Sequence, residues 1–178
     1  KGWLQSDPHK SNDIRKKIIN DKNRKIIGIS WKTNSILTDK IQRNIELEKL
    51  LQPLKKLGTE FVSLQYGKTS EEISNLRSKY GIDVLEIPEI NLHNDIDGLA
   101  SIISACDCVV SIDNVTPHLA GALGVDTYLL LPFVADERWG LNTNNSYWYN
   151  SIKFYRQIIR TDWSAPLAKL SNDLVMRL

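Results

Sequence analysis

The groups best suited to chemistry lie in one stretch, Ser111-Ile112-Asp113-Asn114-Val115-Thr116-Pro117-His118-Leu119-Ala120-Gly121-Ala122-Leu123-Gly124. An apolar run ends at Ile112, and a run of small residues suited to a helix begins a few positions later. Thr116 is a good N-cap and Pro117 fits the first helical position. That reading turns the amides of His118 and Leu119 into the space above the strand end. A phosphate or diphosphate binds there, drawn by the amides and the helix dipole. The same dipole keeps the His118 imidazole neutral, a hydrogen-bond donor to a phosphate oxygen rather than a fixed cation. Asp113 suits a pair of sugar or ribose hydroxyls. The plainer alternative is that Asp113 and Asn114 only cap the turn and His118 is a half-buried ring.

A second group follows the apolar run Lys25–Trp31: Trp31-Lys32-Thr33-Asn34-Ser35, then Lys40 and Arg43. In a doubly wound sheet this loop lies beside the one that carries Asp113. Hydroxyls, an amide and basic groups then face the helix start across one crevice, as a diphosphate requires. Taken alone, Lys32 and Lys40 read more readily as solvated loop charges, and it is the convergence of the two loops that favours the site. No G-x-G-x-x-G and no Walker sequence follows the strand, which disfavours a dinucleotide site or a P-loop. Gln65-Tyr66-Gly67 ends another strand, placing Gln65 and Tyr66 either against a nucleotide base or in a plain turn. Asp95-Ile96-Asp97 has the spacing of a metal-binding D-x-D, but it opens a helix, where acidic residues cap. The aromatic stretch from Arg138-Trp139 through Tyr147-Trp148-Tyr149 to Arg156 and Trp163 reads as an ordered loop over the sheet edge, or as a surface for a neighbour.

These groups must be positioned by the rest of the chain, which has 178 residues, 42% hydrophobic and 25% charged. Residues 1–24 form a polar N-terminal arm, broken at Asp7-Pro8, with a short helix near Ile14–Asn20. From 25 to 178 strands and helices alternate. The strands are Lys25–Trp31, Glu60–Gln65, Val84–Ile87, Cys108–Ile112 and Thr127–Leu131, with Ile152–Tyr155 as a sixth. Leu47, Leu50, Leu51, Leu54 and Leu57 share a helical face that Pro53 interrupts and Gly58 ends. Thr69 and Glu72 have the spacing of a capping box. Further helices start near Ile96, Pro117 and Pro166. This order predicts an α/β fold: a doubly wound, Rossmann-like parallel sheet with helices on both faces, and ligands at the carboxyl ends of the strands.

Composition excludes several classes. With 23 basic and 21 acidic side chains, the net charge of +2 attracts neither nucleic acid nor an anionic membrane. No run reaches the roughly 18 apolar residues of a membrane span. Cys106 and Cys108 stand too close for an unstrained disulfide, and His9, His93 and His118 are too scattered for a zinc clip. Buried free thiols fit a reducing, cytoplasmic compartment. The sequence begins at Lys1 and its one methionine is Met176, so the expectation is a piece of a longer chain.

Lys25–Lys32 (KIIGISWK), Glu60–Gly67 (EFVSLQYG), Asn94–Asp107 (NDIDGLASIISACD) and Val109–Pro132 (VVSIDNVTPHLAGALGVDTYLLLP) resemble bacterial proteins in which tetratricopeptide repeats precede a glycosyltransferase-like module. Arg138-Trp139, Ser146–Tyr149 (SYWY) and Phe154–Gln157 (FYRQ) continue the match. That module is similar to the heptosyltransferase-like glycosyltransferases, which have the two-Rossmann GT-B architecture. The resemblance implies the C-terminal half of a GT-B enzyme, which binds a nucleoside diphosphate sugar as substrate without a metal or other cofactor. It places Asp113, Asn114, Thr116 and His118 in the donor-contacting loop and helix start. It likewise places Lys32, Thr33 and Lys40 in the loop holding the donor phosphates. It puts the catalytic base and the acceptor site in an N-terminal half. Where the heptosyltransferases have a glycine two residues after the aspartate, this chain has Val115, a departure that bears on the sugar of the donor. Two other readings fit the same architecture: an enzyme of the nucleotide-sugar epimerase kind, and a non-catalytic assembly module attached to the repeats.

Overall fold

The structure is a computed structural model that describes residues 2–19, 24–33, 43–141 and 143–178. Asn34, Ser35 and Lys40 of the expected phosphate loop lie outside the described residues. The apolar runs form five parallel strands, β1 (Ile26–Ser30), β2 (Glu60–Ser63), β3 (Cys108–Ile112), β4 (Thr127–Leu131) and β5 (Ile152–Arg156). They lie in the order β2-β1-β3-β4-β5. Every residue of β1, β3 and β4 is buried, which is why these strands read as unbroken apolar stretches.

The helices are α1 (Pro8–Ile18), α2 (Leu47–Leu51), α3 (Ser70–Tyr80), α4 (Ile96–Ala105), α5 (Val115–Leu123) and α6 (Ser164–Arg177). On one face of the sheet, Ile27, Ile29, Val110 and Leu130 pack against Leu50, Leu51, Leu54, Leu76, Leu170 and Leu174, which come from α2 and the 3-10 turn after it, α3 and α6. On the other face, Ile26, Val62 and Val109 meet α1, α4 and α5 through Ile14, Ile18, Leu99, Ile102 and Ala120. Each such side chain, fully buried, stabilises the fold by about 1.5–3 kcal/mol before entropy is counted. The doubly wound, Rossmann-like expectation therefore holds, with helices on both faces.

Four local expectations are corrected. The arm helix begins earlier, because Asp7 accepts from the amides of His9 (2.8 Å) and Lys10 (3.2 Å) and Pro8 opens the helix. A dipeptide read as a break is thus a cap followed by a proline at the first helical position. Val84–Ile87 is not a strand and contributes one bridge, Leu85 to Val62, so Ile152–Arg156 is the fifth strand rather than a sixth. The Thr69–Glu72 capping box does not form. Thr69 Oγ1 donates to Glu86 at 2.6 Å, while Glu72 takes the Trp31 indole N–H at 2.7 Å. Finally, α5 begins at Val115 and is capped by Asn114, whose side chain accepts from the Thr116 amide. Thr116 is therefore a first-turn residue. The amides left without an intrahelical acceptor are those of Asn114, Val115 and Thr116, not those of His118 and Leu119.

At the amino edge of the sheet one carboxylate joins three elements. Asp107 accepts from the Ile26 amide and from Arg15 of α1, both at 2.9 Å, and pairs with Lys25 at 3.3 Å. Arg15 also donates to the carbonyl of Ala105 at 2.7 Å, tying α1 to the end of α4. Burial works against the Asp107 charge, but the Ile26 amide, Arg15 and Lys25 outweigh it and hold its pKa below the usual carboxylate value. A lowered folded-state pKa adds stability that is present above about pH 4 and is lost as pH falls through the folded value. Asp107→Asn should therefore cost about 1 kcal/mol at pH 7, allowing for partial exposure. In urea unfolding curves, the gap between wild type and variant should narrow as pH drops to 3.

Candidate functional site

The chain leaves β1 towards β2 and leaves β3 towards β4, in opposite directions across the sheet. Ligands of open α/β sheets bind at such a switch point, outside the carboxyl ends of the strands. Here polar side chains bridge three strand ends. Asn114 Nδ2 donates to Ser30 Oγ (2.8 Å), and Ser30 Oγ donates to Gln65 Oε1 (3.2 Å). Gln65 Oε1 also accepts from the amides of Trp31 and Lys32, each at 3.0 Å.

Asp113 stands at the end of β3, only 4% exposed. Its Oδ1 accepts from the indole N–H of Trp139 at 2.9 Å. Its Oδ2 faces Arg43 Nη1 at 3.3 Å and has no hydrogen-bond partner among the described residues. The Asp113 carboxylate is thus held in place with one buried oxygen that has no hydrogen bond and is balanced by the charge of Arg43. Among the described residues, Arg43, from the segment after β1, reaches the end of β3 and contacts Asp113.

His118 lies in the first half of α5 with its ring stacked on Trp139, centroids 4.7 Å apart, and its Nδ1 3.2 Å from Tyr149 Oη. Burial, then the nearby charge of Arg138, pushes its pKa below the ordinary value, against smaller contributions from Asp113 and Asp136. The imidazole is neutral at pH 7 as expected, but burial rather than the helix dipole is the leading cause. Tyr149 lies flat on α5 because residue 121 is glycine. A Cβ there would come within 2.5 Å of the tyrosine ring. Gly121 thus serves the packing of Tyr149.

The remaining expected residues are distributed differently. Lys32 Nζ is turned away from Asp113, to Glu72 (2.8 Å) and the carbonyl of Lys68 (3.0 Å). Thr33 is buried, with its amide donating to Asn44 at 2.8 Å. Gln65 is engaged within the protein, its Nε2 donating to the carbonyl of Tyr66 at 3.2 Å. Tyr66 lies by His93, ring centroids 5.7 Å apart, in a separate cavity of about 350 Å³ at the end of β2. A cavity of about 760 Å³ between Gln52–Lys56 and α6 contains none of the expected site residues. Trp139 and Tyr149 are the site residues that the sequence reading did not assign. Their only signal there was an aromatic cluster between strands, and the partners that define them stand 26 and 31 residues away.

Trp139→Phe keeps a ring against His118 and removes the hydrogen bond to a buried carboxylate. It should lower unfolding stability by about 2 kcal/mol in urea denaturation. Arg138→Gln should raise the His118 pKa part of the way to its ordinary value in an NMR titration, because burial remains. In wild type the unfolded chain takes up the His118 proton first, so stability falls as pH drops below about 6.5.

No protein-family model matches the chain. Protein FlbA of Caulobacter vibrioides is 27% identical over 148 residues, which cover 83% of this chain and 24% of that protein. Among solved structures, E. coli ADP-heptose LPS heptosyltransferase II superposes with a TM-score of 0.68 at 15% identity, over 98% of this chain and 54% of that one. The family 9 glycosyl transferase of Veillonella parvula gives 0.64 at 9% identity, over 98% and 54%. E. coli heptosyltransferase WaaC with ADP gives 0.59 at 16% identity, over 93% and 48%. The chain thus spans about half the length of these solved structures and about a quarter of the curated relative. Its structural neighbours are heptosyltransferases and a family 9 glycosyl transferase, and its five-stranded Rossmann-like sheet is a glycosyltransferase-like fold.

Proposed function

We propose that this chain is the donor-binding half of a metal-independent glycosyltransferase and that its ligand is a nucleoside diphosphate sugar. One observation carries the reading. At the switch point between β1 and β3, a buried carboxylate with an unsatisfied acceptor oxygen, a guanidinium and the start of a helix converge at Asp113, Arg43 and Asn114–Thr116. The carboxylate accepts from a ligand hydroxyl. Arg43 and the amides of Asn114 and Val115 meet the negative charge that develops on the departing diphosphate, an electrostatic role of the oxyanion-hole kind. The neutral His118 donates a hydrogen bond to a phosphate oxygen. Arg43 is the cation facing Asp113, and Lys32 joins the phosphates only by exchanging Glu72 for them; Thr33 and Lys40 belong to the same loop. The cavity beside Tyr66 is the place for the base, with Gln65 holding its floor rather than reading it. The acceptor and the catalytic base belong to a partnering N-terminal half in this reading.

Calorimetric titration with ADP, UDP, GDP and CMP tests it, with His118→Ala and Arg43→Ala for comparison. One nucleotide should bind with a Kd near or below about 1 mM in the presence of EDTA, and both substitutions should weaken it about tenfold. Absence of binding by all four, repeated with a longer chain that includes the N-terminal half, would refute the donor-site assignment and favour an assembly module.

A further inference from the structure

Beside the Asp113 site lies a depression of about 600 Å³ walled by His118, Asp136, Glu137, Arg138, Trp148 and Tyr149. We propose that this depression is a subsite for a pyranose ring. The inference rests on the donor-half reading above, which brings a sugar next to this wall, but it is argued from the wall itself.

Its aromatic part is exposed yet held in place. Trp148 is 63% exposed, and its indole N–H donates to the carbonyl of Arg138 at 3.2 Å. The amides of Trp148 and Tyr149 both donate to Ser146 Oγ, at 3.1 and 3.2 Å, which sets the turn that carries the two rings. Tyr149 is fixed further by the bare surface of Gly121, by His118 and by the ring of Trp3, stacked at 5.3 Å. An exposed indole pinned at its N–H keeps a free apolar face, and its ordering cost is met before any ligand arrives.

The polar part selects the ligand. Arg138 is locked onto Asp136 by two hydrogen bonds, Nε to Oδ1 at 2.7 Å and Nη2 to Oδ2 at 3.1 Å, so its charge is paired with a carboxylate. The exposed Glu137 adds a second carboxylate, and His118 is uncharged. Away from His118, the Asp136–Arg138 part of the wall thus sums to a net negative charge and disfavours a phosphate there. It presents acceptors and donors in pairs, next to an apolar face. A pyranose has the matching chemistry: an apolar C–H face to lie on Trp148, and vicinal hydroxyls to bridge carboxylate and guanidinium.

The test follows the indole N–H signal of Trp148 by NMR, assigned by its loss in Trp148→Ala. The probes are methyl α-glucopyranoside, methyl α-mannopyranoside and methyl β-galactopyranoside. At least one should shift that signal saturably at millimolar concentration. Glu137→Gln should weaken the effect several-fold, and Trp148→Ala should remove binding seen by saturation-transfer difference while the Trp139 indole signal stays in place. ADP-glucose, UDP-glucose and GDP-mannose, each set against its nucleotide alone, identify the source. A shift of Trp148 by a sugar nucleotide but not by its nucleotide assigns the ring to the donor. A glycoside shift that persists with the sugar nucleotide bound assigns it to the acceptor. The subsite is overturned if no glycoside or sugar nucleotide moves Trp148, if nucleotides alone move it as far as their sugars do, or if Trp148→Ala leaves glycoside affinity unchanged. The donor-half reading is read separately, from nucleotide-induced shifts of the Val115 amide and the His118 ring. Glycoside shifts at Trp148 without any nucleotide effect there would leave the sugar subsite standing and remove the nucleotide.

Discussion

A carboxylate at the end of a fully buried strand has to be neutralised and hydrogen-bonded by whatever surrounds it, or the fold bears the cost of a bare interior charge. Asp113 sets that condition here. The partners that meet it come from two directions, Arg43 from the segment after β1 and Trp139 from the connection between β4 and β5. One side chain thereby brings three stretches of chain, distant in sequence, to the same point above the sheet. The Ser30–Gln65–Asn114 bridge does the same one layer deeper, joining the ends of β2, β1 and β3 without any charge.

The opposite edge of the sheet is closed by the equivalent device with the sign of exposure changed. Asp107 is partly open to solvent and is paired with two cations and an amide. Asp113 has one cation and an oxygen left over. Two aspartates flank β3, one just before it and one just after. The first has its acceptors filled by the protein, and the second does not. That asymmetry, more than the fold, separates the edge that holds the domain together from the edge where a ligand fits, since a superfold on its own decides no activity.

Much of the fold was legible in the chain because its strongest signals are local. The runs KIIGIS, CVVSI and TYLLL are dominated by apolar residues without alternation, the pattern of buried parallel strands. Gly58 stops a helix in the left-handed conformation, as its position suggested, and Gly124 does the same after α5. Misreadings arose where two nearby groups compete for one job. Asn114 and Thr116 are both good caps, and Asn114 wins because its amide nitrogen is also needed by Ser30. Glu72 is well spaced to close a capping box with Thr69, but the Trp31 indole and Lys32, just after β1, claim it instead. The site was legible in the same measure. Asp113 and His118 stand out by type and spacing, whereas the bonds that Trp139 and Tyr149 make to them depend on tertiary packing alone. The pairing of Lys32 with Glu72 was hidden for the same reason as the failed capping box, since that partner arrives from another helix.

The two outer strands carry a further property. β2 and β5 are sheet edges, and each is partly covered on its outer side by one short bridge from a neighbouring loop. Leu85 accepts from the Ser63 amide and donates to the Phe61 carbonyl, both at 2.8 Å, while Asn144 accepts from the Phe154 amide at 2.8 Å. An unprotected edge of apolar strands invites another strand to add to it, and with it aggregation. These single bridges occupy the backbone groups such an intruder would need. Association of this domain with anything else is thereby steered away from sheet extension and towards its loops and helices.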